Sequence, residues 1–165
     1  MFIPLVHLVR YARDLGFTPL VAASVISALG VGAVAGRLVM GAVSDRLGRR
    51  PTVAMAMALR AVAFVGFMVV RELSALYTTA FVFGYSYGAI STLFTAIIGD
   101  FFGREQAGTL VGVLFAIAGS MAGWGPLIAG AAHDATGSYT PAFAASAGLN
   151  VIALALLLLC RPPRI

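Results

Sequence analysis

The sequence predicts an all-α protein, a polytopic bundle with five full transmembrane helices. Its composition is the first reason: 61% of the residues are hydrophobic and 10% are charged, against about 45–50% and 25% in a typical soluble domain. The second reason is that the apolar residues form continuous blocks of about 20 residues, which is the helix length that crosses a hydrocarbon core of about 30 Å. The sequence therefore predicts that most of this chain lies within the lipid bilayer.

The five blocks are separated by charged and turn-forming segments. They run from about residue 19 to 43, 52 to 70, 73 to 98, 108 to 132 and 141 to 160. The separating segments read "SDRLGRRP", "RE", "GDFFGREQ" and "HDATGSYTP". Residues 1–165 are predicted to form one transmembrane domain, in which residues 1–18 precede the first full span. The start of the chain lacks the basic region and the cleavage site of a secretory signal.

The charged and reactive residues exclude several functional classes. All eleven basic residues are arginines, set against six acids, and they form no basic stripe for nucleic acid. The single cysteine, Cys160, allows no internal disulfide. The spans contain no Ser/His pair, paired acids, metal-ligand cluster or channel filter segment. The sequence therefore predicts neither an enzyme with catalytic residues nor a bound metal or cofactor.

Arginine asymmetry predicts the orientation. An odd number of spans places the termini on opposite sides of the membrane. One side would carry Arg46, Arg49, Arg50, Arg104, Arg161 and Arg164, and the other Arg10, Arg13 and Arg71. The positive-inside rule assigns the first group to the cytoplasm. We therefore expect a multi-pass protein of the cell membrane with its N-terminus outside and its C-terminus in the cytoplasm.

The first loop carries a recognisable motif. The segment "GAVSDRLGRR", from Gly41 to Arg50, resembles the G-x-x-x-D-R-x-G-R-R signature of the major facilitator superfamily. Three further segments resemble helix connections of its monocarboxylate-transporter-like and oxalate-formate-antiporter-like branch. These segments are "HLVRYARDLGFTP", "GDFFGREQAGTLVG" and "GWGPLIAGAAHDATGSYTPAF". The resemblance implies the C-terminal six-helix half of a twelve-helix carrier, with its first helix reduced to a stub at about residues 1–12.

This resemblance implies a function and a partner. The family consists of secondary active transporters, symporters or antiporters, that work by alternating access, and this branch moves small organic anions such as monocarboxylates. The substrate path of the family lies between two six-helix halves. A missing N-terminal half or a second copy of the chain is therefore implied. The chain could be a fragment, half of a split carrier or a self-pairing protein, and the alternative function is a membrane scaffold or assembly partner without transport.

The motif loop is a candidate conformational gate. Its residues are Gly41, Asp45, Arg46, Gly48, Arg49 and Arg50. Gly48 suits a sharp turn, and Asp45 can accept hydrogen bonds from arginines. By resemblance, Asp45 and Arg46 belong to a cytoplasmic charge lock, with Asp100 and Arg104 on the next inner loop as partners. The alternative is that Arg49 and Arg50 only anchor the topology at anionic headgroups.

Arg37 is the candidate substrate-binding residue. It lies inside the first span, about seven residues or roughly 10 Å before the loop. An arginine at mid-helix costs about 2.5–3.5 kcal/mol, so it should face a cavity, a partner or an anion unless it snorkels to the headgroups. In the monocarboxylate branch, an arginine in this setting binds the substrate carboxylate. Some members carry an aspartate one turn earlier, where this chain has Ala33.

The third span carries a polar stripe. Tyr87, Ser91 and Thr95 follow Gly84 at spacings of three and four, which places them on one helical face. They are candidate substrate-binding residues of a pathway wall, or their hydroxyls bond back to their own helix. Arg60, in the second span, has no assigned partner: an acid from a missing half and a lipid headgroup are both open.

Two further features concern the fourth span and the histidines. Gly123, Gly125 and Pro126 predict a helix bend, which serves helix packing or a transport hinge. His7 and His133 lie outside the spans or at the interface, so we expect them to be solvated.

Overall fold

The computed structural model describes residues 3–159, without the side chains of residues 104, 105, 121 and 122. This part of the chain folds into seven helices and has no strand. In chain order they are α1 (Ile3–Asp14), α2 (Pro19–Leu47), α3 (Arg49–Val69), α4 (Leu73–Phe102), α5 (Arg104–Ala122), α6 (Trp124–Thr136) and α7 (Thr140–Leu159).

Five helical segments are long and apolar enough to cross a membrane. They are α2, α3, α4, α7 and the segment Gln106–Thr136, which contains most of α5 and all of α6. The predicted fold class, an all-α membrane helix bundle, is confirmed. α1 is not among the five: its twelve described residues extend about 18 Å, which is less than the hydrocarbon core.

The bundle is centred on the parallel helices α2 and α4, whose backbones touch. A Cβ added at Gly36 would lie 2.0 Å from the Tyr85 carbonyl oxygen, and one at Gly88 would lie 2.0 Å from the Ala33 carbonyl oxygen. The contact combines two G-x-x-x-G motifs, Gly32/Gly36 on α2 and Gly84/Gly88 on α4. Small residues at this spacing let membrane helices approach closely and gain dispersion energy. Any larger side chain at these positions would separate the two helices.

The other helices surround this pair. α3 packs between α4 and α7, and α1 lies against α2 and α6. The largest buried cluster contains a group of aromatic rings that meet edge-on or stacked across α3, α4 and α7. Its central members are Phe64, Phe67, Phe83 and Phe143.

The connections between helices are short, and several use glycine in a backbone conformation with positive φ. Gly48 alone links α2 to α3, with φ of 89°. Gly103 plays the same part between α4 and α5, with φ of 77°. These conformations are strained for residues with a Cβ. We call this end of the bundle, which also holds the end of α7, the Arg49 end, and the opposite end the Tyr139 end.

The helices extend past the predicted spans at the Arg49 end. α2 continues to Leu47 and α4 to Phe102, so Asp45, Arg46 and Asp100 are helical residues. The predicted spans counted only the apolar core, whereas a helix keeps its hydrogen bonds as it passes through the headgroup layer. The 29 residues of α2 reach about 44 Å, which is the thickness of a bilayer with its headgroups.

The fourth predicted span is interrupted. α5 ends at Ala122, Gly123 is a turn residue, and α6 begins at Trp124. Pro126 explains the break, because it has no N–H to donate to the carbonyl of residue 122, four positions earlier. The large apolar side chains of α5, such as Leu114 and Phe115, are exposed. They face lipid or another protein.

Candidate functional site

Arg49 is the centre of a charge network at the Arg49 end. Its Nη1 donates to Asp45 Oδ1 at 2.7 Å and to Ser44 Oγ at 2.9 Å. Its Nε donates to Asp100 Oδ2 at 2.7 Å. The residue stands at the start of α3, where the Gly48 turn brings it beside the end of α2. One guanidinium thus ties together the ends of α2, α3 and α4.

Arg50 extends these contacts to the last helix. Its Nη2 donates to the carbonyl oxygens of Leu157, at 3.2 Å, and Leu158, at 2.7 Å. The last carbonyls of a helix have no partner within it and carry partial negative charge, so a cation satisfies them. Arg49 and Arg50 together connect four helix ends through side-chain contacts.

Two other gate candidates are placed without such contacts. Arg46 is exposed on α2 and forms no ion pair with a described residue. Gly41 has open space where a Cβ would stand. The side chain of Arg104 lies outside the described residues. Among the described arginines, Arg49 holds the contacts with Asp45 and Asp100 that the resemblance had implied for Arg46.

Arg37 lies on the outer surface of α2, far from both ends of that helix. It is exposed and forms no hydrogen bond or ion pair with a described residue. Its neighbours on that surface are apolar and exposed, among them Val34 and Leu38. Because α2 continues to Leu47, Arg37 stands ten residues before the helix end, or about 15 Å along the axis.

The polar stripe on α4 is only partly open. Tyr87 and Ser91 are half-buried, whereas Thr95 is exposed. The Ser91 hydroxyl donates to the Gly88 carbonyl at 3.0 Å, and the Thr95 hydroxyl donates to the Ser91 carbonyl at 3.1 Å. Both hydroxyls are therefore satisfied by their own helix, and neither is bonded to Arg37. Gly84 faces α2 and serves helix contact.

Arg60 is buried between α3 and α4, with 5% of its surface exposed. Its Nη2 donates to the Ser86 carbonyl oxygen at 3.3 Å, and Tyr87 lies within electrostatic range. Its Nε is buried and has no described hydrogen-bond partner. The sequence predicted a membrane-interior arginine here but could not predict that it would be enclosed.

The Tyr139 end holds a second polar cluster. His7 Nδ1 is 3.1 Å from the Tyr139 hydroxyl, and its Nε2 is 3.0 Å from the Pro126 carbonyl oxygen. His133 Nε2 is 3.1 Å from Asp14 Oδ2, and its ring stacks on Tyr139 with centroids 4.3 Å apart. Burial raises the pKa of Tyr139, which keeps its hydroxyl neutral.

This cluster corrects the expectation that both histidines are solvated. His7 is half-buried, with one ring nitrogen in contact with α6 and the other with Tyr139 in the α6–α7 connection, and the His133 side chain is 13% exposed. The polar contacts of His7 with Tyr139 and of His133 with Asp14 join residues more than 110 positions apart, so no local pattern indicates them. The only sequence signal is that two histidines and a tyrosine flank spans that must meet at one end of the bundle.

The residues of the predicted bend stand at the break between α5 and α6. Gly123 lies between the two helices, and Gly125 and Pro126 belong to the first turn of α6. The Pro126 carbonyl oxygen accepts a hydrogen bond from His7 Nε2 at 3.0 Å, which joins the break to α1. Among the described residues, no group of three or more histidines, cysteines and acids could hold a metal ion.

Comparison with known proteins identifies the family. The sequence model of the Major Facilitator Superfamily matches residues 1–165. The chain belongs to the major facilitator superfamily. It is similar to monocarboxylate transporter 13 of Rattus norvegicus, with 29% identity over 86% of this chain. It is also similar to monocarboxylate transporter 12 of Xenopus laevis, with 31% identity over 94% of this chain.

The match covers one part of these relatives. The chain spans about a third of their length, 34% in both cases. The match confirms the family that the sequence motifs predicted, and the five apolar helical segments fit a multi-pass membrane protein. Two groups of predicted site residues stand out in the structure: Arg37, which is exposed within an apolar surface, and the Arg49 network at the helix ends.

Proposed function

We propose that the chain is the C-terminal six-helix half of a secondary active transporter for small organic anions of the monocarboxylate class. Arg37 binds the substrate carboxylate, and the rest of the path comes from an N-terminal six-helix half or from a second copy of the chain. Tyr87, Ser91 and Thr95 of α4 form part of the path wall. The relatives named monocarboxylate transporters support this substrate class.

The observation that carries the proposal is the position of Arg37. It is an exposed cation without a described partner, four residues from the midpoint of α2, or about 6 Å along the axis. Left in lipid there, an arginine costs about 2.5–3.5 kcal/mol. A water-filled path between two halves removes that cost, because the guanidinium is then solvated or bound to an anion. A guanidinium also matches a carboxylate through two parallel hydrogen bonds.

The Arg49 network serves as the gate. Its ion pairs join α2, α3 and α4 but remain exposed, with 68% of the Asp45 side chain and 54% of the Asp100 side chain accessible. Exposed pairs are worth about 0–1 kcal/mol each. They can therefore break and reform while a carrier alternates between its two facings. Gly123, Gly125 and Pro126 provide a bend at which the α5–α6 segment follows this movement.

The proposed orientation places the Arg49 end in the cytoplasm, with the N-terminus outside and the C-terminus inside. Its support is the arginine asymmetry of the sequence. A tag at the N-terminus should react with an impermeant label added to whole cells, whereas a tag at the C-terminus should react only after the cells are opened. Labelling of both ends from the same side would contradict five spans.

The substrate site is tested by transport. The chain, assembled with a complementary N-terminal half, is reconstituted in liposomes, and uptake of radiolabelled acetate, pyruvate and benzoate is measured. Arg37→Ala should abolish uptake without reducing membrane insertion, because the helix becomes more apolar. Arg37→Lys keeps the charge but loses the planar fork, so we expect it to restore less than a tenth of the uptake. Arg13→Met, which changes an exposed arginine on α1, is the matched control and should retain uptake.

Two results would overturn the proposal. If Arg37→Ala transports as well as the parent, Arg37 only snorkels and the substrate class is wrong. If the two halves associate stably but no anion moves, the chain is an assembly partner or scaffold.

A further inference from the structure

Arg60 is a buried cation without a counter-charge among the described residues. It lies between α3 and α4, and 5% of its surface is exposed. Its one described hydrogen bond goes to a backbone carbonyl, that of Ser86, and its Nε has no hydrogen-bond partner among the described residues. The described acids stand near the helix ends or in the connections: Asp14, Asp45, Glu72, Asp100 and Asp134.

Arg60 lies at the same level of the bundle as Arg37. Gly36, the residue before Arg37, presses against the backbone of Tyr85 on α4. Arg60 donates to the carbonyl of Ser86, the next residue of that helix, and lies near Tyr87. The two arginines thus lie level with a single turn of α4, residues 85–87: Arg60 contacts this turn, and Arg37 stands on the outer side of α2 beside it. The two cations make this level of the membrane interior positive.

The burial of an unpaired arginine needs a compensating benefit. Replacement of a buried charge by an apolar residue of similar size is often neutral or stabilising, so the charge itself is not required for packing. A positive potential inside a low-dielectric site attracts an anion strongly, because little solvent screens it. An anion bound at Arg37 would lie one helix away from Arg60 and would experience this potential.

We propose that Arg60 is the second positive charge of the anion site. It acts across the Tyr85–Tyr87 turn of α4 and does not touch the substrate: it raises the affinity for a carboxylate held by Arg37 and holds that turn in place through the Ser86 carbonyl. This inference rests on the proposed function, since it requires an anion at Arg37. It assigns a role to a residue of α3, whose other buried side chains are apolar or small.

The experiment compares charge with packing in the carrier assembled from this chain and its complementary half. The variants are Arg60→Met, which keeps most of the volume, Arg60→Lys, which keeps the charge, and Arg13→Met as an exposed control. Thermal stability without anion and the Kd for radiolabelled benzoate are measured for each. We expect Arg60→Met to have an unchanged or higher Tm and a Kd about ten-fold weaker, the effect of one charge about a helix diameter away in low-dielectric surroundings. Arg60→Lys should bind within about three-fold of the parent, whereas Arg37→Lys should not.

The opposite pattern would overturn the inference. A purely structural arginine would give a lower Tm in Arg60→Met with an unchanged Kd. If Arg60→Met does not fold, Arg60→Gln tests the role of the charge, because glutamine keeps a donor for the Ser86 carbonyl but is neutral. An unchanged Kd in Arg60→Gln would mean that the role of Arg60 is structural. Failure of both neutral variants to fold would mean the same. Arg37→Ala is measured beside them. Loss of binding in Arg37→Ala alone refutes only the role of Arg60, whereas parental binding in Arg37→Ala refutes the proposed function and this inference with it.

Discussion

The two ends of the bundle are closed by different chemistry. At the Arg49 end, one guanidinium holds Asp45 and Asp100 at 2.7 Å each, in contact with solvent. At the Tyr139 end, a tyrosine with 2% of its surface exposed lies against His7, Tyr11, His133 and Phe143. The first end is held mainly by ion pairs, and the second mainly by ring contacts and hydrogen bonds, one of which joins His133 to the Asp14 carboxylate at 3.1 Å. An ion pair between Arg10 and Asp134, at 3.8 Å, adds only a surface contact to the second.

This difference indicates which end opens more easily. Exposed ion pairs contribute about 0–1 kcal/mol each because water competes for both partners. A buried aromatic side chain removes about 150–250 Å² from solvent and gains further energy from edge-on and stacked ring pairs. We therefore infer that the Tyr139 end is the stable part of the bundle and that the Arg49 end is the part that opens.

The largest expected effect is that of Tyr139→Ala. The substitution leaves a cavity among four rings, and such losses cost about 3–5 kcal/mol. Tyr139→Phe keeps the ring but removes the hydroxyl that lies 3.1 Å from His7 Nδ1. The loss of this hydrogen bond should lower the free energy of unfolding by about 1 kcal/mol. Trp124→Ala is the control, because this large aromatic residue is 64% exposed. Thermal unfolding of the purified chain in detergent measures all three.

The order of these three variants decides whether the Tyr139 end is the stable part. We expect Tyr139→Ala to unfold at the lowest temperature, Tyr139→Phe at an intermediate one and Trp124→Ala close to the parent. A Tyr139→Ala variant as stable as Trp124→Ala would contradict the inference that the Tyr139 end is the stable part of the bundle.

The sequence predicted the fold well and the contacts poorly, for physical reasons. Apolar blocks of membrane length require helices, since no other backbone arrangement in an isolated span satisfies its own hydrogen bonds in lipid. Pro126 indicated the interruption at Gly123, because a proline lacks the N–H that a continuous helix needs at that position, and this is a local property of the sequence.

Contacts between distant helices have no such local signal. The pairing of Gly36 with Tyr85, and that of His7 with Tyr139, depends on which helices become neighbours. The choice of Arg49 over Arg46 depends on the direction that the Gly48 turn gives to α3. Arginines in one short motif look equivalent in the sequence, but the turn presents only some of them to the acids.

The last prediction tests whether the contacts of Arg49 at the charged end of the bundle are needed for transport. Arg49→Gln removes three contacts at once, with Ser44, Asp45 and Asp100. Its effect on stability should be small, about 1 kcal/mol or less, because the pairs are exposed. Transport by the assembled carrier should nevertheless fall at least several-fold, since a gate without its lock cannot hold one facing.

Arg46→Gln is the matched control for that variant. It removes the same charge from the same motif, three residues earlier, but breaks no ion pair with a described residue. If contacts rather than total charge make the gate, Arg46→Gln should retain most of the uptake and Arg49→Gln should not. Equal losses in the two variants would mean that the arginines act through lipid headgroups, and equal retention would remove the gate from the Arg49 end. A drop in Tm for Arg49→Gln as large as that for Tyr139→Ala would show that the charged end is also a stable part of the fold, because three exposed contacts would then outweigh a buried ring.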